Sequence, residues 1–208
     1  MAELALTPRP ALAGQLAPGR HGRLDGPPGV TICERANVTL ISVIARRDES
    51  EALAALVRSA YGIELPGIPR RSGGPMPDGR ELSFIWAGPG QWLAYAEGMT
   101  GLAGELETAL GKRAMIVEQS DGRCVVHITG PKARAILAKG IGLDLDPRAF
   151  KPGDVALTLA THIAVQLWQI DDRPSYEIAL FRSLAGSFWH WLSASAAEFG
   201  YEVVEERR

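Results

Sequence analysis

The stretch Phe84-Ile85-Trp86-Ala87-Gly88-Pro89-Gly90-Gln91-Trp92-Leu93-Ala94-Tyr95 reads as an apolar strand, a Gly-Pro-Gly break and a second strand. A tryptophan stands on each side of the turn. Aromatic side chains bury the most area per residue, so such a hairpin places large rings where two sheets or two chains meet. Nothing in it marks a reaction centre. The hairpin predicts a chain built around packing surfaces.

Working outward, Val38 to Ile44 is β-branched and nearly continuous in apolar character, the pattern of a strand covered on both faces. Asp48 followed by Glu51 resembles a capping box, and Leu53, Leu56, Val57 and Ala60 recur at helical spacing until Gly62. Residues 66–80 hold four prolines and four glycines together with Arg70, Arg71 and Arg80, and read as a projecting loop. Its arginines are either a solvated surface or a grip for a partner's carboxylates. After the hairpin, Thr100 is placed to cap a helix with Leu102, Leu106, Ala109 and Leu110 on one face, closed by Gly111.

The second half repeats the theme. Met115 to Val117 and the alternating Arg123 to Ile128 flank a turn at Ser120-Asp121-Gly122. Thr129-Gly130-Pro131 opens a helix with proline at its first position and Ala133, Ile136 and Leu137 on its buried stripe. Strands follow at Val155 to Leu159, His162 to Ile170 and Tyr176 to Phe181, then a helix capped by Ser183 and a last strand around Tyr201 to Val204. The fold class expected is α+β, two similar β-α-β-β-α-β lobes packed together, residues 30–112 and 113–208, as one compact unit. Residues 1–29, with five prolines and five glycines, form an extended or disordered N-terminal arm, either a loose tail or a segment ordered by lying along a partner.

Composition bounds the function. The chain has 208 residues, 46% hydrophobic and 22% charged, which is globular and long enough for a sizeable core. A net charge of -2 gives no basic field for phosphates, so nucleic acid is not an expected partner. No window has eighteen uninterrupted apolar residues and Met1 to Arg20 lacks a basic-then-apolar leader, so no membrane span or signal peptide is expected. Cys33 and Cys124 have neither metal spacing nor a Cys-x-x-Cys pattern, which fits a reducing cytoplasm.

No chemistry-bearing constellation stands out. His21, His127, His162 and His190 occupy four unrelated contexts with no i, i+4 pair. There is no Gly-x-Ser-x-Gly elbow and no phosphate loop. Gly130-Pro131-Lys132 puts a cation at a helix start, either an anion site or a conformational Gly-Pro start. Val155 to Ile170 contains no Asp or Glu, so a mechanism that needs a carboxylate there lacks its base. On the last helix Trp189 and Trp191 are about 200° apart. With Trp191 facing the core, Trp189 is either an outward interface anchor or a ring packed under the N-terminal tail.

Several stretches together resemble the gamma subunit of heterotetrameric sarcosine oxidase. They are Trp86 to Leu93, Ser120 to Arg123, Thr129 to Arg134, Leu143-Asp144-Leu145-Asp146-Pro147-Arg148-Ala149-Phe150-Lys151-Pro152-Gly153-Asp154, and Arg182 to Leu192. That family is in turn similar to the N-terminal part of the aminomethyltransferase (glycine-cleavage T-protein) fold, which binds folate. The resemblance implies an accessory, non-catalytic subunit of a complex that demethylates sarcosine to glycine. It places FAD, FMN, NAD and tetrahydrofolate on partner subunits, with none in this chain, and makes the alpha, beta and delta subunits its partners. Aminomethyltransferases use an aspartate on the strands after the Gly-Pro helix, and none occurs between Asp154 and Asp171. No catalytic, cofactor or metal residue is therefore assigned, and the expected interface residues are Trp189, Arg70 and Arg71. The alternative is a free-standing folate-binding or aminomethyltransferase-like protein.

Overall fold

The computed structural model describes residues 9–206. In chain order its elements are β1 (Gly19–His21), β2 (Val30–Glu34), β3 (Val38–Ala45), α1 (Ser50–Tyr61), β4 (Arg71–Pro75), β5 (Glu81–Gly88), β6 (Gln91–Glu97), α2 (Leu102–Leu110) and β7 (Ala114–Glu118). There follow β8 (Arg123–Thr129), α3 (Ala133–Leu137), β9 (Val155–Ala160), β10 (Ile163–Asp171), β11 (Ser175–Phe181), α4 (Ala185–Ala196) and β12 (Tyr201–Val203). The strands make two sheets, one of five in the order β4-β5-β6-β3-β7 and one of seven in the order β1-β12-β2-β8-β11-β10-β9.

The opening hairpin is β5 and β6. Trp86 stands opposite Trp92 and Gly88 opposite Gln91, with an irregularity at Ala87. Gly88 and Gly90 have φ of 141° and 68°, values an L side chain rarely adopts, so the turn depends on both. Period-2 alternation then sends Leu82 and Phe84 to one face of the small sheet and Ile85 to the other. The first face is covered by α1 and α2 through Leu53, Val57, Leu102 and Leu106. On the far side of the large sheet, α3 and α4 bring Ile136, Phe188 and Leu192 onto Ile32, Val126, Leu167 and Ile178. Between the sheets, Leu40, Ile85, Leu93 and Tyr95 meet Val125, Val155, Trp168 and Ala179. The result is a helix, sheet, sheet, helix stack.

From β3 to β7 the succession is β-α-β-β-β-α-β, and from β8 to β12 it is the same. The strand orders also correspond once β2, which sits between β8 and β12, is set aside. Each half thus has one more strand than the β-α-β-β-α-β order expected from sequence. The sheets do not follow the 112/113 boundary either: β2 belongs to the large sheet and β7 to the small one.

The strand missed in the first half is β4, inside the segment read as a projecting loop. It pairs with β5 from Arg71 opposite Ile85 to Pro75 opposite Glu81. A Cβ at Gly73 would lie 2.3 Å from the Ser83 Oγ, so that glycine serves close strand approach. Pro75 is tolerated because β4 is an edge strand.

Three expected helix caps are absent. Asp48 has φ 62° and lies outside α1, whose cap position is Glu49, while Gly101 rather than Thr100 caps α2. Ser183 falls in a single 3₁₀ turn ahead of α4, and Pro131 lies in the turn before α3. The C-terminal stops are as expected, with Gly62 at φ 69° after α1 and Gly111 at φ 57° after α2.

The arm is ordered by this chain. Leu12 is fully buried in the core of the large sheet, and the Glu34 carboxylate accepts the backbone N–H groups of Ala11 (2.6 Å) and Leu12 (3.0 Å). Strand β1 pairs antiparallel with β12. A folded element was not expected there because its signal is spread over single residues among prolines and glycines; residues 1–8 lie outside the described residues. Leu12→Ala is expected to destabilise the protein by about 2–5 kcal/mol in urea unfolding. It should also speed tryptic cleavage at Arg20 and Arg23, and unchanged cleavage would show that Leu12 does not hold the arm.

Candidate functional site

The three residues expected at an interface are placed differently from one another. Trp189 does not point outward: it is buried, with its ring 6.0 Å from that of Tyr201 in edge contact. Tyr201 in turn stacks on His21 of the arm at 5.2 Å, so the reading in which Trp189 packs beneath the N-terminal segment describes the geometry. Trp191 is half-buried, against Gly140 and Phe188. Arg70 is paired with Asp154 and donates to the Pro152 carbonyl (3.1 Å). Arg71 donates to the Ser83 Oγ (3.1 Å) and lies 5.7 Å from the Tyr95 ring. Both arginines are thus engaged within the chain.

Gly130, at the start of the Gly-Pro turn, has φ 133°, and a Cβ there would lie 2.7 Å from the Gly29 carbonyl. The glycine is required by backbone approach, and the Lys132 ammonium sits 5.6 Å over the Phe199 ring. Cys33 and Cys124 are free, buried thiols, and burial pushes Cys33 up to about 11. Among the described residues no group of three or more His, Cys, Asp or Glu is placed to hold a metal ion.

The densest polar constellation lies between the sheets and centres on Glu177. Strand β11 is buried along nearly its whole length, and its alternation sends Tyr176, Ile178 and Leu180 toward the helices and Glu177 toward the small sheet. Glu177 is only 2% exposed. Its Oε1 accepts from Arg35 (2.6 Å) and from the Tyr95 hydroxyl (3.1 Å), and its Oε2 accepts from the Trp168 indole N–H (3.0 Å). Arg35, in the link from β2 to β3, also pairs with Glu97 at the end of β6 and with Glu206 near the C-terminus. Glu206 accepts the backbone N–H groups of Ala36 (2.6 Å) and Asn37 (2.8 Å).

Burial raises the Glu177 carboxyl above the usual carboxylate range, partly offset by the Arg35 and Arg71 guanidinium groups. Burial and the neighbouring Glu177 charge likewise push the Tyr95 hydroxyl up. Both Glu177 oxygens are engaged by donors of this chain, and the carboxylate is sealed between the sheets. The arrangement is a clamp joining five segments of chain: the β2–β3 link, β6, β10, β11 and the C-terminal segment. Sequence reading passed over Glu177 because it treated Tyr176 to Phe181 only as an apolar strand. The available signal was one carboxylate inside an otherwise uncharged run.

Beside the clamp opens a groove of about 830 Å³ between the arm, the β2–β3 link, residues 120–121 and the C-terminal segment. Glu34 and Glu206 on its wall are spent on backbone amides. Arg123 also lines it, its guanidinium 4.2 Å over the Phe181 ring. The Arg123 Nε is buried with no acceptor among the described residues, and burial lowers the pKa of the group.

A family model described as sarcosine oxidase, gamma subunit family, matches residues 46–198, well over half of the chain. The chain belongs to the sarcosine oxidase gamma subunit family. Its relatives include sarcosine oxidase subunit gamma of an Arthrobacter species, 32% identical over 139 residues, covering 66% of this chain and 68% of that one. The subunit gamma of Corynebacterium sp. (strain U-96) is 30% identical over 151 residues, 72% of each chain.

Among solved structures, a chain of the heterotetrameric sarcosine oxidase of Corynebacterium sp. U-96, in complex with pyrrole 2-carboxylate, superposes with a TM-score of 0.76 at 28% identity. That match covers 95% of this chain and 97% of the other. The glycine cleavage system aminomethyltransferase T of Bartonella henselae superposes with a TM-score of 0.61 at 16% identity, over 85% of this chain and 48% of that one. The second likeness shows the fold alone and agrees with the α+β class read from sequence. In this gamma-family chain the large rings of the hairpin serve internal packing: Trp92 is buried, its indole N–H on the Pro66 carbonyl (2.8 Å).

Removing one partner of a buried ion pair leaves the other uncompensated. Glu177→Ala is therefore expected to cost about 3–5 kcal/mol in chemical denaturation, and Glu177→Gln, which keeps acceptor and shape, distinctly less. Equal losses would show that the charge and not the hydrogen bonding holds the clamp. His127, opposite Glu177 on β8, bonds the Ser175 hydroxyl (2.9 Å), and burial followed by the Arg35 charge lowers its pKa below 6.5. Its contribution to stability is thus present above that value and lost as pH falls through the lowered folded-state pKa. His127→Gln should flatten the fall in melting temperature between about pH 7.5 and about pH 5.5. An unaltered slope would assign the pH dependence elsewhere.

Proposed function

We propose that this chain is the gamma subunit of a heterotetrameric sarcosine oxidase, an accessory, non-catalytic component that supports oxidative demethylation of sarcosine to glycine. The observation that carries the reading is the match to the Corynebacterium complex, which runs nearly end to end in both chains. The internal chemistry supports it. Glu177, the most deeply buried carboxylate among the described residues, is held by Arg35, Tyr95 and Trp168, and the space around it between the sheets is packed with aliphatic and aromatic side chains. In this reading FAD, FMN, NAD and tetrahydrofolate are held by partner subunits, the alpha, beta and delta chains, in the cytoplasm.

Co-expression of this chain with the other three subunits tests it. The chain is expected to co-purify with them through affinity and size-exclusion steps as one complex oxidising sarcosine, and to show no oxidase activity alone. If it emerges by itself while the others assemble without it, the reading fails. Tight tetrahydrofolate binding, or methyl transfer by the isolated chain, would replace it with the free-standing alternative.

A further inference from the structure

The inner face of the large sheet is only partly covered. Its side chains lie in rows across the strands: Val155, Trp168, Glu177 and His127 in one, and Leu157, Gln166, Ala179 and Val125 in the next. The third row holds the pairs Leu159 with Ala164 and Phe181 with Arg123. The first row is sealed by the small sheet, whereas Leu157, Leu159 and Phe181 are 50%, 52% and 49% exposed. The interior of the protein therefore continues, on the same sheet face, as an open apolar surface that ends at the Arg123 guanidinium.

Strand β9 borders this surface and is an outer strand of its sheet. The other outer strands carry features that discourage pairing: Arg20 and His21 on β1, Arg71, two glycines and Pro75 on β4, and Glu118 on β7. Val155-Ala156-Leu157-Thr158-Leu159-Ala160 has no charge, proline or glycine. Among the described residues the chain itself holds this edge only at its ends, with the Val155 N–H on the Pro69 carbonyl (3.0 Å) and the Thr161 N–H on the Gly140 carbonyl (2.6 Å). The uncharged stretch between them, beside the exposed Leu157 and Leu159, is a liability for a free monomer and is expected of a surface that is covered in an assembly.

We infer that this row, from Leu159 to Arg123, is where another subunit of the oxidase docks, with an apolar segment on Leu157, Leu159 and Phe181 and a carboxylate on Arg123. The inference rests on the gamma-subunit reading. Charge complementarity selects the occupant. Arg123 has no carboxylate among the described residues, and its Nε is shielded without an acceptor. A second copy docked about a twofold axis would bring this patch onto itself, and the patch contains no acid to meet the arginine.

The test uses the co-expressed complex and three altered chains: Leu157→Asp with Leu159→Asp, Arg123→Met, and Leu24→Asp as an exposed leucine elsewhere. The double variant is expected to weaken association about tenfold or more, and Arg123→Met several-fold with a shallower salt dependence. Leu24→Asp should assemble as wild type, and the isolated variants should keep their melting temperatures. If the aspartates prevent folding, serine at the same two positions gives the same readout. Wild-type association by the folded double variant overturns the docking surface while leaving the subunit reading intact. A wild-type chain that never associates overturns both. A homodimer of the isolated chain that Leu159→Asp disrupts assigns the face to a second copy and overturns the proposed partner.

Discussion

The Glu177 carboxylate, sealed between two sheets and held by Arg35, Tyr95 and Trp168, constrains the rest of the architecture. Apolar packing between sheets is strong but non-directional, and Leu40, Ile85, Leu93 and Val125 would tolerate small slides. A buried carboxylate tolerates none, since each lost donor leaves a desolvated charge. Two further polar links act at other corners of the same interface. Gln166 donates to the Trp86 carbonyl (2.8 Å), and the Arg71 N–H to the Gly153 carbonyl (2.7 Å). Together they fix how the hairpin sits on the large sheet. The buried pair thus acts on the choice of one packing arrangement more than on net stability, which such pairs contribute weakly.

The clamp also stands where the chain changes sheets. It passes from β2 to β3 through Arg35, and from β7 to β8 through residues 119–122. These crossings are neighbours, because Leu40 donates its N–H to the Ser120 Oγ (2.9 Å) and accepts from the Gln119 N–H (2.7 Å). Placing β2 between β8 and β12 lets one arginine reach Glu97 of the small sheet, Glu177 of the large sheet and Glu206 beyond β12. The same insertion gives the large sheet the room in which the arm buries Leu12.

Much of this was legible in the sequence where one residue type decides the geometry. The hairpin, the glycine stops after α1 and α2, and the alternation of Cys124, Val126 and Ile128 against Arg123, Val125 and His127 all appear as read. What escaped depends on contacts distant in sequence. Strand β4 has no hydrophobic alternation because its pairing with β5 relies on Gly73 fitting against Ser83. The arm was unreadable because its order comes from Glu34 and β12. The direction of Trp189 could not follow from helical angles alone, since α4 buries two flanks, one against α3 and one against Tyr201. The clamp escaped for a similar reason: its acids and its arginine lie on four separate segments, so no spacing announces them.

The unequal sheets carry the last step. With strands about 4.8 Å apart, a seven-stranded sheet is about 10 Å wider than the five-stranded one it faces, so some of its inner face must overhang. The two overhangs are finished differently. Toward β2 and β12 the inner positions include Thr31 and Glu202, polar side chains suited to water. Toward β9 they are Leu157 and Leu159. A chain under selection only for its own solubility would finish both ends alike, because one Lys or Glu on an outer strand costs little stability. The asymmetry is what the proposed docking of another subunit on Leu157 and Leu159 requires.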